Sequence, residues 1–130
     1  MATKILIVDD SKLARMSVSK LLTSLRPDWT RFEAASADEA IILTGREHPD
    51  VILLDFNMPG TTGLELAAQL QQSHPHIPVA VISANIQVEI VERAQEAGAT
   101  FLAKPLTRPD LAAFLDEAQA RLSVTRPSVR

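Results

Sequence analysis

Val51-Ile52-Leu53-Leu54-Asp55 is an apolar run that ends at a carboxylate, and this arrangement indicates a buried strand with a polar residue at its end. Three other apolar runs also stop at polar residues: 5–8 precedes Asp9 and Asp10, 79–82 precedes Ser83, and 101–103 precedes Lys104. Short continuous apolar runs are typical of strands buried on both faces of a parallel sheet. Because ligands of such sheets bind beyond the carboxyl ends of the strands, we expect these polar residues to share one crevice.

Segments with helical periodicity follow the strands. The predicted helices cover 11–25, 36–47, 63–73, 86–97 and 108–123. Pro27 ends the first helix, Ser36 and Glu39 form a capping box at the start of the second, and Gly98 stops the fourth. Strands and helices therefore alternate along the chain, which predicts an α/β fold with a five-stranded parallel sheet and five helices.

The polarity of the strands predicts their order. The second strand, Thr30–Ala34, alternates and carries charge, and the fifth is short and begins with Thr100, so both suit the edges of the sheet. The three apolar strands then lie inside, which fits the order 2-1-3-4-5. Only this order sets the first strand beside the third, where Asp9, Asp10 and Asp55 can meet.

Composition narrows the class of protein. A chain of 130 residues with 46% hydrophobic content fits one globular domain, and a net charge of −3 gives no broad basic surface for nucleic acid. The chain has no cysteine, which excludes disulfides and thiolate chemistry. No signal peptide precedes the first strand and no apolar run reaches the ~20 residues of a membrane span, so we expect a cytoplasmic location and no membrane partner.

The acidic crevice predicts a divalent cation and a phosphoryl group. Three neighbouring carboxylates repel one another unless a cation neutralises them, and Mg²⁺ prefers oxygen ligands of this kind. A carboxylate oxygen can then act as a nucleophile towards phosphorus. Lys104 supplies a positive charge for a phosphoryl oxygen, and Ser83 can donate a hydrogen bond to another.

Residues 4–123 resemble the receiver domain of two-component response regulators, a flavodoxin-like three-layer αβα sandwich. The motifs that carry the resemblance are Val8-Asp9-Asp10-Ser11, the run from Leu54-Asp55 through Met58-Pro59-Gly60 to Gly63, Ser83-Ala84 and Ala103-Lys104-Pro105. Each motif is weak alone, but their order and their spacing at intervals of one or two βα units are specific. On this basis we expect a receiver domain over 1–124 and a short flexible tail over 125–130.

The resemblance implies a role for each site residue. Asp55 is the phosphoacceptor, and Lys104 and Ser83 contact the phosphoryl group. Asp10, Asp55 and the backbone carbonyl of Asn57 bind Mg²⁺ or Mn²⁺, and Asp9 binds largely through water. The family also implies a cis Lys104–Pro105 bond, a phosphate donor that is a sensor histidine kinase or a histidine phosphotransfer protein, and no enzymatic activity beyond self-catalysed phosphorylation and dephosphorylation.

The family's switch maps onto Ser83 and Phe101. The hydroxyl is drawn to the phosphoryl group and the aromatic side chain of the fifth strand turns inward behind it. Phe101 lacks the hydroxyl of the tyrosine found in the best-known single-domain chemotaxis regulators. Helix four, strand five and helix five are then the expected contact surface for a downstream protein.

The sequence leaves open three downstream roles for a receiver and two other protein classes. As a receiver, the chain would make a chemotaxis-type contact, act as a phosphorelay intermediate or phosphate sink, or serve as an adaptor for another enzyme. A haloacid-dehalogenase phosphatase also uses an aspartyl phosphate but expects Asp-x-Asp after the first strand, where this chain has Asp9-Asp10-Ser11. A flavin mononucleotide carrier expects a glycine- and hydroxyl-rich loop there, and two aspartates would repel its phosphate.

Overall fold

The computed structural model describes residues 3–125. Its elements in chain order are β1 (Lys4–Val8), α1 (Lys12–Leu25), β2 (Thr30–Ala34), α2 (Ala37–Glu47), β3 (Val51–Asp55), α3 (Gly63–Ser73), β4 (Val79–Ser83), α4 (Val88–Glu96), β5 (Thr100–Ala103) and α5 (Arg108–Thr125). Thr125 is the last residue of α5, and the rest of the tail predicted for 125–130 lies outside the described residues. None of the helices within 3–125 has the length and apolarity needed to cross a membrane.

The sheet has the order β2-β1-β3-β4-β5, and every pair of neighbouring strands is parallel. The order predicted from strand polarity is therefore confirmed. All residues of β3 and β4 are buried, whereas β2 and β5 contain exposed or partly exposed residues. A central strand is packed against helices on both faces and is therefore apolar along its length. An edge strand can keep polar residues, so the polarity of a strand indicates whether it lies at the centre or at the edge of the sheet.

Two hydrophobic clusters cover the two faces of the sheet. Alternate residues of each strand point to opposite faces, so Leu6 and Val8 lie in one cluster and Ile5 and Ile7 lie in the other. The first cluster contains buried residues of α2, α3 and α4, and the second contains those of α1 and α5. The predicted three-layer αβα sandwich is therefore confirmed.

Side-chain hydrogen bonds cap the N-termini of α1, α2 and α3. The side chain of Ser11 accepts a hydrogen bond from Ala14 N and caps α1. At α3, Thr62 and Glu65 form a complete capping box, a pattern that is readable in the sequence. The box predicted at Ser36 is partial, because the Glu39 carboxylate accepts from Ala35 N rather than from the cap residue.

The start of α4 differs from the prediction of a helix over 86–97. The helix begins at Val88, because the side-chain oxygen of Asn85 accepts a hydrogen bond from Gln87 N and holds the chain in a turn. The predicted stop at Gly98 is confirmed: Gly98 has φ 81°, and Gly98 N and Ala99 N donate to the carbonyls of Gln95 and Ala94. This pair of bonds is a Schellman motif, which turns the chain into β5.

Candidate functional site

The strand register brings the predicted acids together. Val8 pairs with Leu54 on the neighbouring strand, so Asp9 and Asp55 are the next residues on two adjacent strands. Carboxylate oxygens of Asp9, Asp10 and Asp55 all lie within 4.8 Å of one another. Asp9 and Asp55 are 7% and 4% exposed, respectively, whereas Asp10 is exposed. The cluster therefore has two buried carboxylates and one that faces solvent.

Helix capping does not account for these acids. Ser11 caps α1 with its own hydroxyl, and the Asp9 carboxylate instead accepts a hydrogen bond from Ser11 N at 2.9 Å. Within the described residues, no group donates a well-formed hydrogen bond to the buried Asp55 Oδ1, although the Lys104 ammonium lies 2.6 Å from it. A buried carboxylate oxygen with spare acceptor capacity next to two further carboxylates fits a hard divalent cation.

The pKa of Asp9 is raised above its ordinary value of 3.8, mainly because burial disfavours the charged form. The negative charges of Asp55 and Asp10 act in the same direction. The hydrogen bond from Ser11 N and the positive charge of Lys104 oppose the shift without cancelling it. The folded protein therefore binds a proton at Asp9 more readily than the unfolded chain does.

We expect Asp9→Asn to raise the free energy of unfolding at pH 7 in the absence of divalent cations. With a raised pKa in the folded state, the ionised Asp9 side chain destabilises the fold above the pKa of the unfolded chain. The gain should shrink as the pH falls through the raised pKa of the folded state, and it should vanish below the ordinary carboxyl pKa, where both states are protonated. Urea denaturation followed by circular dichroism between pH 4 and pH 8 measures this difference.

Magnesium should reduce the difference in stability between the two proteins. At ten times its dissociation constant, a ligand that binds only the folded state adds about 1.4 kcal/mol of stability. The wild type should show this gain, and Asp9→Asn should show less because the site has lost one negative charge. An Asp9→Asn protein that is less stable than the wild type without cations would contradict a raised pKa of Asp9 in the folded state.

Ser83 is the last residue of β4, and Lys104 directly follows β5. The carbonyl of Ile82 on β4 accepts a hydrogen bond from Phe56 N, and Ser83 is the next residue along β4. Ser83 is buried, and its hydroxyl accepts from Asn85 N at 3.0 Å. Lys104 N donates to the carbonyl of Ser83, which fixes the start of the Lys104 side chain at this edge of the sheet.

The remaining predicted residues lie around this edge. The Lys104–Pro105 peptide bond is cis, as the family resemblance implies. Asn57 is exposed in the loop after β3, and the role of its carbonyl stays a prediction. Phe101 lies on β5, is partly buried and packs against the cluster that includes α4. Its part in a switch also stays a prediction.

Two residues that hold the site were not assigned a role from the sequence. Arg15 Nη1 donates to the Asp9 carbonyl at 2.6 Å while its Nε donates to Glu33 at 2.8 Å, which ties the β1–α1 turn to β2. Gly63 N donates to the Phe56 carbonyl, and a Cβ at Gly63 would lie 2.4 Å from the Asp55 carbonyl oxygen. No local signal marks Arg15, whereas an isolated glycine at a predicted helix start can indicate a close backbone approach.

Comparisons with known proteins agree with this geometry. The family model described as "Response regulator receiver domain" matches residues 5–116. The Vibrio cholerae chemotaxis protein CheY4 has a similar structure, with a TM-score of 0.81 and 28% identity over 91% of this chain and 99% of that one. The receiver domain of NarL from Mycobacterium tuberculosis is 34% identical, with a TM-score of 0.79 and coverage of 91% and 97%.

Among curated relatives, the glycerol metabolism activator of Pseudomonas putida is 36% identical over 88% of this chain and 52% of its own length. The DNA-binding transcriptional regulator NtrC of Klebsiella pneumoniae is 34% identical over 86% of this chain and 24% of its own. The chain thus spans only part of such relatives. From the family match, the fold and the placement of the acids, the chain belongs to the response regulator receiver domains of two-component signalling.

Proposed function

We propose that this receiver, residues 1–124, accepts a phosphoryl group on Asp55 and signals through the surface formed by α4, β5 and α5. The observation that carries the proposal is the setting of Asp55. Its carboxylate is buried at the carboxyl edge of the sheet, lies near two other carboxylates and has the Lys104 ammonium at 2.6 Å. A phosphoryl group needs little more from a protein than a positioned nucleophile and compensating positive charge.

Asp10, Asp55 and the carbonyl of Asn57 would hold Mg²⁺ or Mn²⁺, with Asp9 acting largely through water. The spacing of the three carboxylates and the spare acceptor capacity of Asp55 Oδ1 support this set. The cation would neutralise the acids and offset the charge that the phosphoryl oxygens bring. Asp10 is the most accessible of the three carboxylates, so solvent and cations reach the cluster from its side.

The proposed donor is a phosphohistidine of a sensor kinase or of a histidine phosphotransfer protein. An Asp55 carboxylate oxygen attacks phosphorus, a P–O bond forms as the P–N bond breaks, and the released imidazole nitrogen is left to take up a proton. Lys104 contacts one phosphoryl oxygen and the Ser83 hydroxyl donates to another. A net charge of −3 favours a protein partner over nucleic acid for the chain itself.

The proposed switch couples this contact to β5. Ser83 pairs with Ala103 in the sheet, and Lys104 follows directly, so both phosphoryl contacts lie on or next to β5. When Ser83 moves towards the phosphoryl group, Phe101 turns further into the cluster beside α4. Phosphorylation then shifts the population of two arrangements of one packed element, which changes the surface offered to a partner.

Incubation with Mg²⁺ and a small phosphodonor tests the proposed phosphoacceptor. Intact-mass spectrometry should show one added phosphoryl group, which disappears when the aspartyl phosphate hydrolyses. Rapid hydrolysis of many phosphomonoesters would instead indicate a phosphatase, and a yellow protein with bound flavin mononucleotide would indicate an electron carrier. Either result would overturn the proposal.

We expect Lys104→Ala to retain Mg²⁺ binding, because an ammonium is no ligand for a cation and its loss removes a positive charge 2.6 Å from Asp55. Phosphorylation of this variant should no longer shift the NMR signals of β5, since the link between the phosphoryl group and the strand is lost. The exposed Lys20 offers a matched control, and Lys20→Ala should behave as the wild type. Full phosphorylation-dependent shifts of Phe101 in Lys104→Ala would refute the proposed coupling.

A further inference from the structure

A groove runs along the free edge of the sheet, between β5 and α5. Its volume is about 380 Å³. The residues that line it are Thr100, Phe101, Leu102 and Ala103 of β5 and Asp110, Ala113, Phe114 and Glu117 of α5. The strand forms one wall along its whole length, and two acidic side chains stand on the opposite wall.

The backbone of β5 has one side without a partner strand. In the described part of the chain, β5 is the last strand of the sheet and pairs only with β4. Lys104 N donates to the Ser83 carbonyl of β4, so by alternation the N–H and C=O groups of Phe101 and Ala103 face away from β4. Such an edge can pair with an extended segment of another chain.

Both charged residues that line the groove are acidic. Asp110 and Glu117 are seven residues apart on α5, two helical turns, and both are exposed. Acids around an open edge repel a second copy of the same surface and attract a basic segment.

We propose that this groove binds an extended, lysine- or arginine-rich segment of a partner protein, which adds a strand to β5. Backbone hydrogen bonds to Phe101 and Ala103 hold the segment, and its basic side chains lie beside Asp110 and Glu117. The apolar side chains that alternate with the basic ones point to the opposite face of the sheet, on the side of Phe101. The proposal names the class of partner for the surface described under the proposed function, and its dependence on phosphorylation rests on that function.

A fluorescent ten-residue peptide of alternating lysine and valine tests the proposal with unphosphorylated protein. Fluorescence anisotropy should show saturable binding, and the same peptide with glutamate in place of lysine should not bind. A third peptide, N-methylated at alternate backbone nitrogens, keeps the charge but cannot form a full strand ladder. Equal affinity of this peptide and the parent would overturn strand addition.

Variants of the groove locate the binding site. Asp110→Asn with Glu117→Gln should weaken binding of the lysine peptide about tenfold, because two exposed charge pairs are lost. The control Asp28→Asn with Asp38→Asn changes net charge equally at exposed positions away from the groove and should change binding by less than about twofold. Circular dichroism checks that both variants fold.

Hydrogen exchange gives the structural signature. Bound peptide should slow exchange at the amides of Phe101 and Ala103, and protection elsewhere without protection of β5 would overturn the proposal. Repeating the titration after phosphorylation separates the two proposals. A peptide that binds β5 equally in both states contradicts the switch alone, whereas phosphorylation of Asp55 without any peptide binding contradicts the groove alone.

Discussion

Asp55→Asn is expected to abolish phosphoryl incorporation completely. The amide keeps the size of the side chain but has no carboxylate oxygen to attack phosphorus, and within residues 3–125 the carboxylate paired with Lys104 is that of Asp55. After incubation with Mg²⁺ and a small phosphodonor, intact-mass spectrometry should show a phosphorylated fraction for the wild type and only background for the variant.

Asp38→Asn is the matched control, because Asp38 is an exposed carboxylate in the first turn of α2 and lies outside the acid cluster. It should be phosphorylated as the wild type is. Phosphorylation of Asp55→Asn at a normal rate would mean that another residue is the nucleophile. Peptide mapping after reduction of the acyl phosphate would then show whether Asp9 or Asp10 had taken its place.

Gly63→Ala is expected to cost about 3 kcal/mol or more in the free energy of unfolding, or roughly a 10 °C fall in Tm. The new methyl group would lie 2.4 Å from the Asp55 carbonyl oxygen and 2.8 Å from Phe56 Cα. Both are backbone atoms, so neither can rotate away as a flexible side chain would. The strand that carries the nucleophile or the start of α3 must move instead.

Gly45 provides a direct comparison within the same chain. It lies inside α2, and a Cβ there would have no neighbour within 4 Å. Gly45→Ala should therefore stabilise the protein by about 0.5–1 kcal/mol, since alanine favours a helix. Urea denaturation of both variants gives opposite signs if the close approach at Gly63 is real, and equal stabilities would contradict it.

The apolar patterns predicted the fold because continuous apolar runs indicate buried strands and apolar residues at helical spacing indicate amphipathic helices. Five apolar residues recur at helical spacing on α5 and all are buried: Leu111, Phe114, Leu115, Ala118 and Leu122. On α1 the apolar residues at the same spacing are Ala14, Val18, Leu21, Leu22 and Leu25, and of these only Leu22 is fully buried. Periodicity gives the direction of a side chain, whereas burial depends on how closely two elements pack.

The acid cluster was predictable because strand order alone brings Asp9 and Asp55 to adjacent positions. The Arg15 bridge was not, since its two acceptors come from a turn and from a strand that follows later in the chain. The groove beside β5 was not predictable for the same reason. An edge strand and a pair of acids on α5 are each visible in the sequence, but their separation across a gap is a property of the tertiary structure.

The position of the chain's one tryptophan determines what its fluorescence can report. Trp29 is 7% exposed, lies 5.7 Å from the Arg26 guanidinium and directly precedes Thr30, which pairs with Lys4 at the start of β1. The acids follow the other end of β1, about 16 Å away at the rise of a strand. Emission from Trp29 should therefore change when the protein unfolds and should not change when a cation or a phosphoryl group binds. Denaturation curves recorded with and without Mg²⁺ would share their baselines, and their separation would measure the ligand's binding free energy directly.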